Sequence, residues 1–250
     1  MNTDFAHRGL YTRDQRIPEN SRHAFLRAIE NGFGMEMDVE LTADDELVVF
    51  HDDNLERMTG LKKSLWESSY DEIQELNLAD SGQKIPTFAD FLKIVDGRVP
   101  VIIEIKTTDR IETICKMTVD QLKGYNGNYC IESFNPFIVA WFRKNAPEIL
   151  RGQLSMRYTD EEGVNGFQKF VLENMLLNFL TRPQFIAYYY KDRSKSSYKL
   201  CKKLGALTVA WTVNTPQELS EIKKYFDTAI FEDFSFSRDL DKQKNGIGKE

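Results

Sequence analysis

Cysteine is scarce: Cys115, Cys130 and Cys201 stand far apart, and no CxxC pair occurs. That excludes a disulfide framework and a thiolate zinc site, and it fits a reducing compartment. Long apolar runs are missing as well. Met175 to Leu180 is typical of the short ones, far below the roughly 20 residues that a bilayer-crossing helix needs. Met1 to Asp4 carry no cation and lead into no apolar stretch, so no secretory signal is expected and the chain reads as soluble and cytoplasmic. There is no block of consecutive Lys/Arg, and the formal charge is −6. Both argue against nucleic acid or an anionic membrane as the main partner, leaving room for a local basic cluster that binds a small anion. No internal repeat is visible, and no GxGxxG follows an apolar run, which removes the dinucleotide-binding signature.

What is present is core material. With 41% hydrophobic and 12% aromatic residues over 250 positions, the chain can bury one large core or two small ones. Short apolar runs at 5–7, 35–41, 47–51, 99–106, 129–134, 152–156, 185–189, 207–213 and 228–232 alternate with helix-like segments, the pattern of parallel strands with helical crossovers. Helix starts are marked by Ser21, by Thr87, by Asn135 before Pro136, and by Thr215-Pro216-Gln217-Glu218, a proline start with a capping box. Only Thr42 to Glu46 separate the second and third runs, too few for a parallel crossover, which takes about a dozen residues. Those two therefore form an antiparallel hairpin extending strand 2. The remaining eight strand units predict an α/β fold of the closed (β/α)8 TIM-barrel type. Residues 52–85, polar and without an obvious strand, read as a small insertion in a single domain of residues 1–238; 239–250 read as a frayed tail.

Charge is placed unusually within the strands. Met35, Met37, Val39 and Leu41 share one face of their strand, and Glu36, Asp38 and Glu40 share the other. Alone, this is compatible with a solvated edge strand; in a barrel the acidic face points inward, where like charges need a compensating cation. Glu104 and Lys106 likewise end an otherwise apolar strand on a common face, either as a structural ion pair or as part of a site at the carboxyl end of the barrel. Of the histidines, His7 and His51 close strands, whereas His23 sits on a helix with a surface role. Carboxylates as the only acidic donors suit Mg2+ or Ca2+ better than zinc. Arg8 and Lys106 add donors suited to a phosphate. Together these residues supply what displacement at phosphorus requires: a hard cation, a base and an acid.

At these positions the chain resembles the glycerophosphodiester phosphodiesterase family. The match runs from Ala6-His7-Arg8-Gly9 through Pro18-Glu19-Asn20-Ser21, Glu36-x-Asp38-Val39-x-x-Thr42-x-Asp44 and Val48-Val49-x-His51-Asp52. It continues with Leu55-x-Arg57, Thr59-Gly60, Ile85-Pro86-Thr87-Phe88, Glu104-Ile105-Lys106, Ser133-Phe134 and Trp211-Thr212-Val213-Asn214, in family order over most of the chain. The resemblance implies a TIM barrel with a small insertion after the His51 segment. It also implies metal-dependent hydrolysis of glycerophosphodiesters, such as glycerophosphocholine or glycerophosphoethanolamine, to sn-glycerol 3-phosphate and an alcohol. Carried over by position, Glu36, Asp38 and Glu104 are the metal ligands, His7 and His51 the acid/base pair, and Arg8 and Lys106 the phosphate holders.

Two stretches depart from the family pattern. The last strand reads Phe226 to Asp233 without the family's glycines, and Tyr188-Tyr189-Tyr190 replaces a polar element. Tyr189 and Trp211 are candidates for the substrate pocket, over glycerol carbons or a choline-like cation, or for simple packing. Two rival functions remain. A lysophospholipase D would need an apolar surface at the active end, whereas the insertion's Leu61, Leu65, Trp66, Tyr70, Ile73 and Leu76, interspersed with charge, read better as a small core. A catalytically silent phosphodiester-binding barrel should have lost a ligand or a histidine, and none is lost.

Overall fold

The computed structural model describes residues 3–158 and 165–232; Asp233 and the expected tail lie outside them. The strands in chain order are β1 (Phe5–Ala6), β2 (Gly34–Leu41), β3 (Leu47–Val49), β4 (Asn77–Leu78), β5 (Gln83–Lys84), β6 (Val101–Ile105), β7 (Tyr129–Ser133), β8 (Arg151–Ser155), β9 (Phe185–Tyr189), β10 (Leu207–Val213) and β11 (Thr228–Phe231). β1, β2 and β6 to β11 are parallel, and β1 pairs with both β11 and β2, so the sheet closes on itself as a (β/α)8 barrel. β3 pairs antiparallel with the end of β2, Val39 opposite Val49 and Leu41 opposite Leu47. This is the hairpin that the short connection demands.

The helices begin where their sequences mark them. Ser21 accepts from the Ala24 N–H, Thr87 from Asp90, Asn135 from Phe137 and Thr215 from Glu218, each satisfying an otherwise orphaned first-turn donor. The Glu218 carboxylate is spent elsewhere, on the Tyr190 hydroxyl at 2.6 Å and the Asn214 N–H at 3.2 Å. Outward strand residues such as Met35, Met37, Ile103 and Ile131 meet the helix layer in one continuous core. Within that layer the Phe25 and Phe91 rings pack edge to face at 4.7 Å.

A second cluster fills the barrel's interior. Phe5, Ile102, Cys130, Leu154, Phe185, Ala187, Val209 and Ile230 pack below the level of the charged residues. Gly152 provides the room for this plug, because a Cβ there would lie 2.1 Å from the Phe185 ring. Fully burying one such large apolar side chain contributes about 1.5–3 kcal/mol, so the plug both closes the barrel and excludes water beneath the charges.

Residues 54–85 form a satellite over the hairpin, with Leu55, Met58, Leu65, Ile73 and Leu78 buried against Val48 and Phe50. Tyr70 and Leu76 pack on it, while Leu61 and Trp66 are exposed. The expectation of no strand in this segment is corrected: β4 and β5 pair there, Asn77 opposite Lys84 and Leu78 opposite Gln83. Two-residue strands are too short to leave an alternating signal. The last strand forms without the family's glycines. The three tyrosines diverge: Tyr188 stacks on Tyr198 outside the barrel, Tyr190 bonds Glu218, and Tyr189 packs on Trp211.

Candidate active site

Strand direction sends the inward residues at the carboxyl ends of β1, β2 and β6 to one mouth. In register, Asp38 on β2 lies beside Glu104 on β6, and Glu104 beside Glu132 on β7. β1 delivers His7 and Arg8. The chain then turns sharply at Arg8 (φ 52°) and Gly9 (φ 76°), a left-handed pair that glycine adopts without strain.

Each of Glu36, Asp38 and Glu104 offers an oxygen, and these oxygens lie within 4.8 Å of one another, with all three residues buried. Among the described residues this is the one group with metal-ligand geometry. Glu36 Oε1 and Asp38 Oδ1 are buried without a hydrogen-bond partner, a costly arrangement unless something else meets them. Burial, reinforced by Asp38 and Glu104, pushes the Glu36 carboxyl well above the usual carboxylate range. Burial acts on Asp38 in the same direction, but Lys106, His51 and Arg8 outweigh it and hold that carboxyl below its ordinary value. An all-carboxylate donor set in which Glu36 Oε1 is unmet and Asp38 Oδ1 has only the longer ion pair with Lys106 fits a hard divalent cation.

Cations already present brace the rest. Lys106 Nζ lies 3.0 Å from Glu104 and 3.4 Å from Asp38. The Arg8 N–H donates to Glu36 at 3.0 Å, and its guanidinium donates to Glu19 at 2.6 Å and approaches Asp38 at 3.6 Å. Asn20 donates to the same Asp38 oxygen, Oδ2, at 2.8 Å, while Lys106 faces Oδ1. Glu19 also receives Arg57 through two bonds of 2.6 and 3.0 Å, and Arg57 in turn holds Asp52.

Each histidine has its own carboxylate. His7 Nδ1 meets Glu232 at 2.6 Å, and its Nε2 lies 3.9 Å from Glu36. Burial, followed by the neighbouring Arg8, lowers the His7 pKa and favours the neutral ring, with Glu232 and Asp38 opposing them. His51 Nδ1 meets Asp52 at 2.7 Å. His7, Arg8, Glu36, His51 and Glu104 all line one open cleft of about 290 Å³, whose other wall is Phe134, Leu154, Trp211 and Ile230. Of the sequence candidates, Lys106 contacts the carboxylates from the side, and Tyr189 reaches the cleft only through its contact with Trp211, ring centres 5.6 Å apart. His23 is exposed on its helix.

Several participants received no role in the sequence reading, although Glu19, Asn20 and Arg57 stand in motifs that carry the resemblance. Glu132 lines the cleft with one buried oxygen unpartnered, and burial followed by Glu104 and Asp38 drives its carboxyl well above the usual range. Its signal, a lone carboxylate near the end of an apolar strand, is the same one that marked Glu104. Glu232 carries that signal too, whereas Asn20, Glu19 and Arg57 lie in loops and a short helix without periodicity.

Comparison with known proteins agrees with the fold. Residues 7–235 match the profile of the glycerophosphoryl diester phosphodiesterase family. A glycerophosphodiester phosphodiesterase of Caldanaerobacter subterraneus subsp. tengcongensis is 28% identical over 240 residues, covering 91% of this chain and 93% of that one. A crystal structure of a glycerophosphodiester phosphodiesterase from Parabacteroides distasonis superposes with a TM-score of 0.74 at 27% identity, covering 99% of both chains. The fold is also that of an Oleispira antarctica phosphodiesterase solved with its product sn-glycerol-3-phosphate, TM-score 0.77 at 21% identity, covering 92% of this chain and 93% of that one.

Proposed function

The chain belongs to the glycerophosphoryl diester phosphodiesterase family, and from that premise we propose that it hydrolyses glycerophosphodiesters, such as glycerophosphocholine and glycerophosphoethanolamine, to sn-glycerol 3-phosphate and an alcohol. The observation that carries this reading is the convergence of Glu36, Asp38 and Glu104 within 4.8 Å, with Glu36 and Glu104 lining the cleft that also holds both histidines. Mg2+ or Ca2+ held by those three carboxylates would neutralise charge on the phosphate oxygens and make phosphorus more electrophilic.

The remaining chemistry belongs to the chain. Arg8 and Lys106 bring positive charge beside the carboxylates and hold the phosphate. His7 and His51 divide the proton work: one takes the proton of the attacking oxygen, and the other returns a proton to the departing alkoxide, which leaves poorly without it. Glu232 and Asp52 each fix one histidine by its Nδ1, turning Nε2 to the substrate. Phe134 and Trp211 cover glycerol carbons, and the buried Trp211 Nε1–H, which has no partner, is available to an oxygen of the substrate.

Release of the alcohol, choline or ethanolamine, from glycerophosphocholine, glycerophosphoethanolamine and lysophosphatidylcholine, with Mg2+ or Ca2+ and again with EDTA, tests the reading. Metal-dependent turnover of the first two supports it. Turnover of the lysolipid alone would make the protein a lysophospholipase D, and no turnover of any would make it a binding barrel.

A further inference from the structure

One flank of the barrel has a composition unlike the rest of the chain. Residues 165–207 carry eight basic side chains and two acidic ones, a local charge of +6 in a chain whose total is −6. The same stretch exposes large apolar side chains to solvent: Phe167 is 76% exposed, Phe179 75% and Leu204 77%, with Phe170, Leu176 and Leu200 also exposed. Isolated exposed apolar residues are ordinary, but a group on one face marks an interaction surface.

The helices that carry these residues adjoin one another. Helices Gly166–Glu173, Asn178–Thr181 and Ser196–Lys203 follow one another on the barrel exterior. Ser197 Oγ donates to the Glu173 carbonyl at 3.0 Å, and Asn178 reaches Cys201 Sγ at 3.6 Å. A shallow groove of about 380 Å³ runs between residues 178–184 and 201–206, with Arg182 and Leu204 on its walls. On the third helix Lys199, Lys202 and Lys203 are exposed alongside Leu200. Phenylalanine and leucine interspersed with lysine are the composition of helices that lie in a lipid interface. The exposed apolar rings would enter the headgroup boundary while the lysines meet anionic lipid phosphates.

We propose that this flank docks the protein on an anionic lipid surface. Charge selects this occupant over a second copy of the chain, because two faces that each present Lys199, Lys202 and Lys203 repel each other when brought together. The overall negative charge conceals the site, since the remaining residues carry the excess of acid. Docking of this kind is peripheral: among the described residues no helix is long and apolar enough to cross a membrane.

Sedimentation with vesicles tests it. The protein should pellet with phosphatidylcholine vesicles containing phosphatidylglycerol, not with phosphatidylcholine alone, and should be released as salt rises towards about 1 M, where the Debye length falls to roughly 3 Å. Phe167→Ser with Phe179→Ser, and separately Lys199→Glu with Lys203→Glu, should each reduce vesicle binding at least about tenfold. Circular dichroism melting and the rate on soluble glycerophosphocholine, measured without vesicles, should be unchanged, because none of these residues lines the catalytic cleft. Equal pelleting with both lipids, or undiminished binding by both double variants, overturns the proposal. So does a dimer in light scattering that the phenylalanine variant dissociates while vesicles are ignored, which would assign the face to a second copy. Binding of poly-glutamate without binding of vesicles would assign it to an acidic protein.

Discussion

His7 and Glu232 stand 225 positions apart in the sequence, yet His7 Nδ1 lies 2.6 Å from Glu232 Oε1 at the rim of the cleft. The barrel's closure makes the contact, because β1 and β11 pair in parallel and end together. Burial, the largest single influence, would raise the Glu232 pKa, but His7, Tyr11 and Arg8 together outweigh it and the net shift is downward. Glu232 is therefore an acceptor at neutral pH, and Nδ1–H is the donor.

Glu232→Gln should lower kcat by at least about tenfold and by as much as ~10⁴, because the amide can present an N–H to Nδ1 and select the wrong tautomer. Steady-state kinetics at saturating metal, beside an unchanged melting temperature, measure this. An unaltered kcat would detach Glu232 from the chemistry.

His51→Ala should reduce turnover by roughly 10²–10⁴, the cost of a lost proton-transfer group. Its imidazole is not among the three clustered carboxylates, so the rise in melting temperature on adding Mg2+ or Ca2+ should persist. If activity and cation response vanish together, His51 is holding the cluster rather than moving a proton.

The barrel was legible because buried parallel strands leave apolar runs and their helices leave caps. Glu36, Asp38 and Glu104 were legible because a carboxylate in an apolar strand is expensive and demands a reason. Glu132 and Glu232 send the same signal, but each stands alone in its strand, and only strand register shows Glu132 beside Glu104 or Glu232 beside His7. Glu19, Asp52 and Arg57 stand in motifs that carry the resemblance, but the brace joining them could not be read, since loop residues at 19 and 52 meet a helix residue at 57 through tertiary folding alone. The basic apolar flank was hidden by a whole-chain average: a net charge reports a sum, and interfaces depend on how charge is distributed.

Cation binding should stabilise the fold and depend on pH. The raised Glu36 pKa means that the cation-free site holds a proton that a cation must displace, so affinity should fall as pH falls. Differential scanning fluorimetry with Mg2+ or Ca2+ should show a larger rise at pH 8 than at pH 6. Glu36→Gln should abolish that rise while making the cation-free protein more stable at pH 8, because a neutral amide replaces an acid that is costly to ionise beside Asp38 and Glu104. A cation response retained by this variant would remove Glu36 from the ligand set.

Glu40 continues the inward face of β2 beyond Asp38 but stands outside the 4.8 Å cluster. Burial is the main cause that pushes its carboxyl up, Lys106 opposes it, and the acids Asp53, Asp38 and Glu104 add to it, giving a pKa of about 9 against an ordinary 4.5. The folded protein thus keeps the proton at neutral pH while the unfolded chain releases it. The stability that goes with holding the proton is complete below about pH 4.5 and drains away as pH rises towards 9, at about 1.4 kcal/mol per unit. Glu40→Gln removes this dependence. In urea unfolding with EDTA, the variant should match the wild type near pH 4.5 and exceed it at pH 8 by on the order of 5 kcal/mol. A gain of equal size at both pH values would trace to packing of the amide, and no gain at either would mean that Glu40 ionises freely in the folded state.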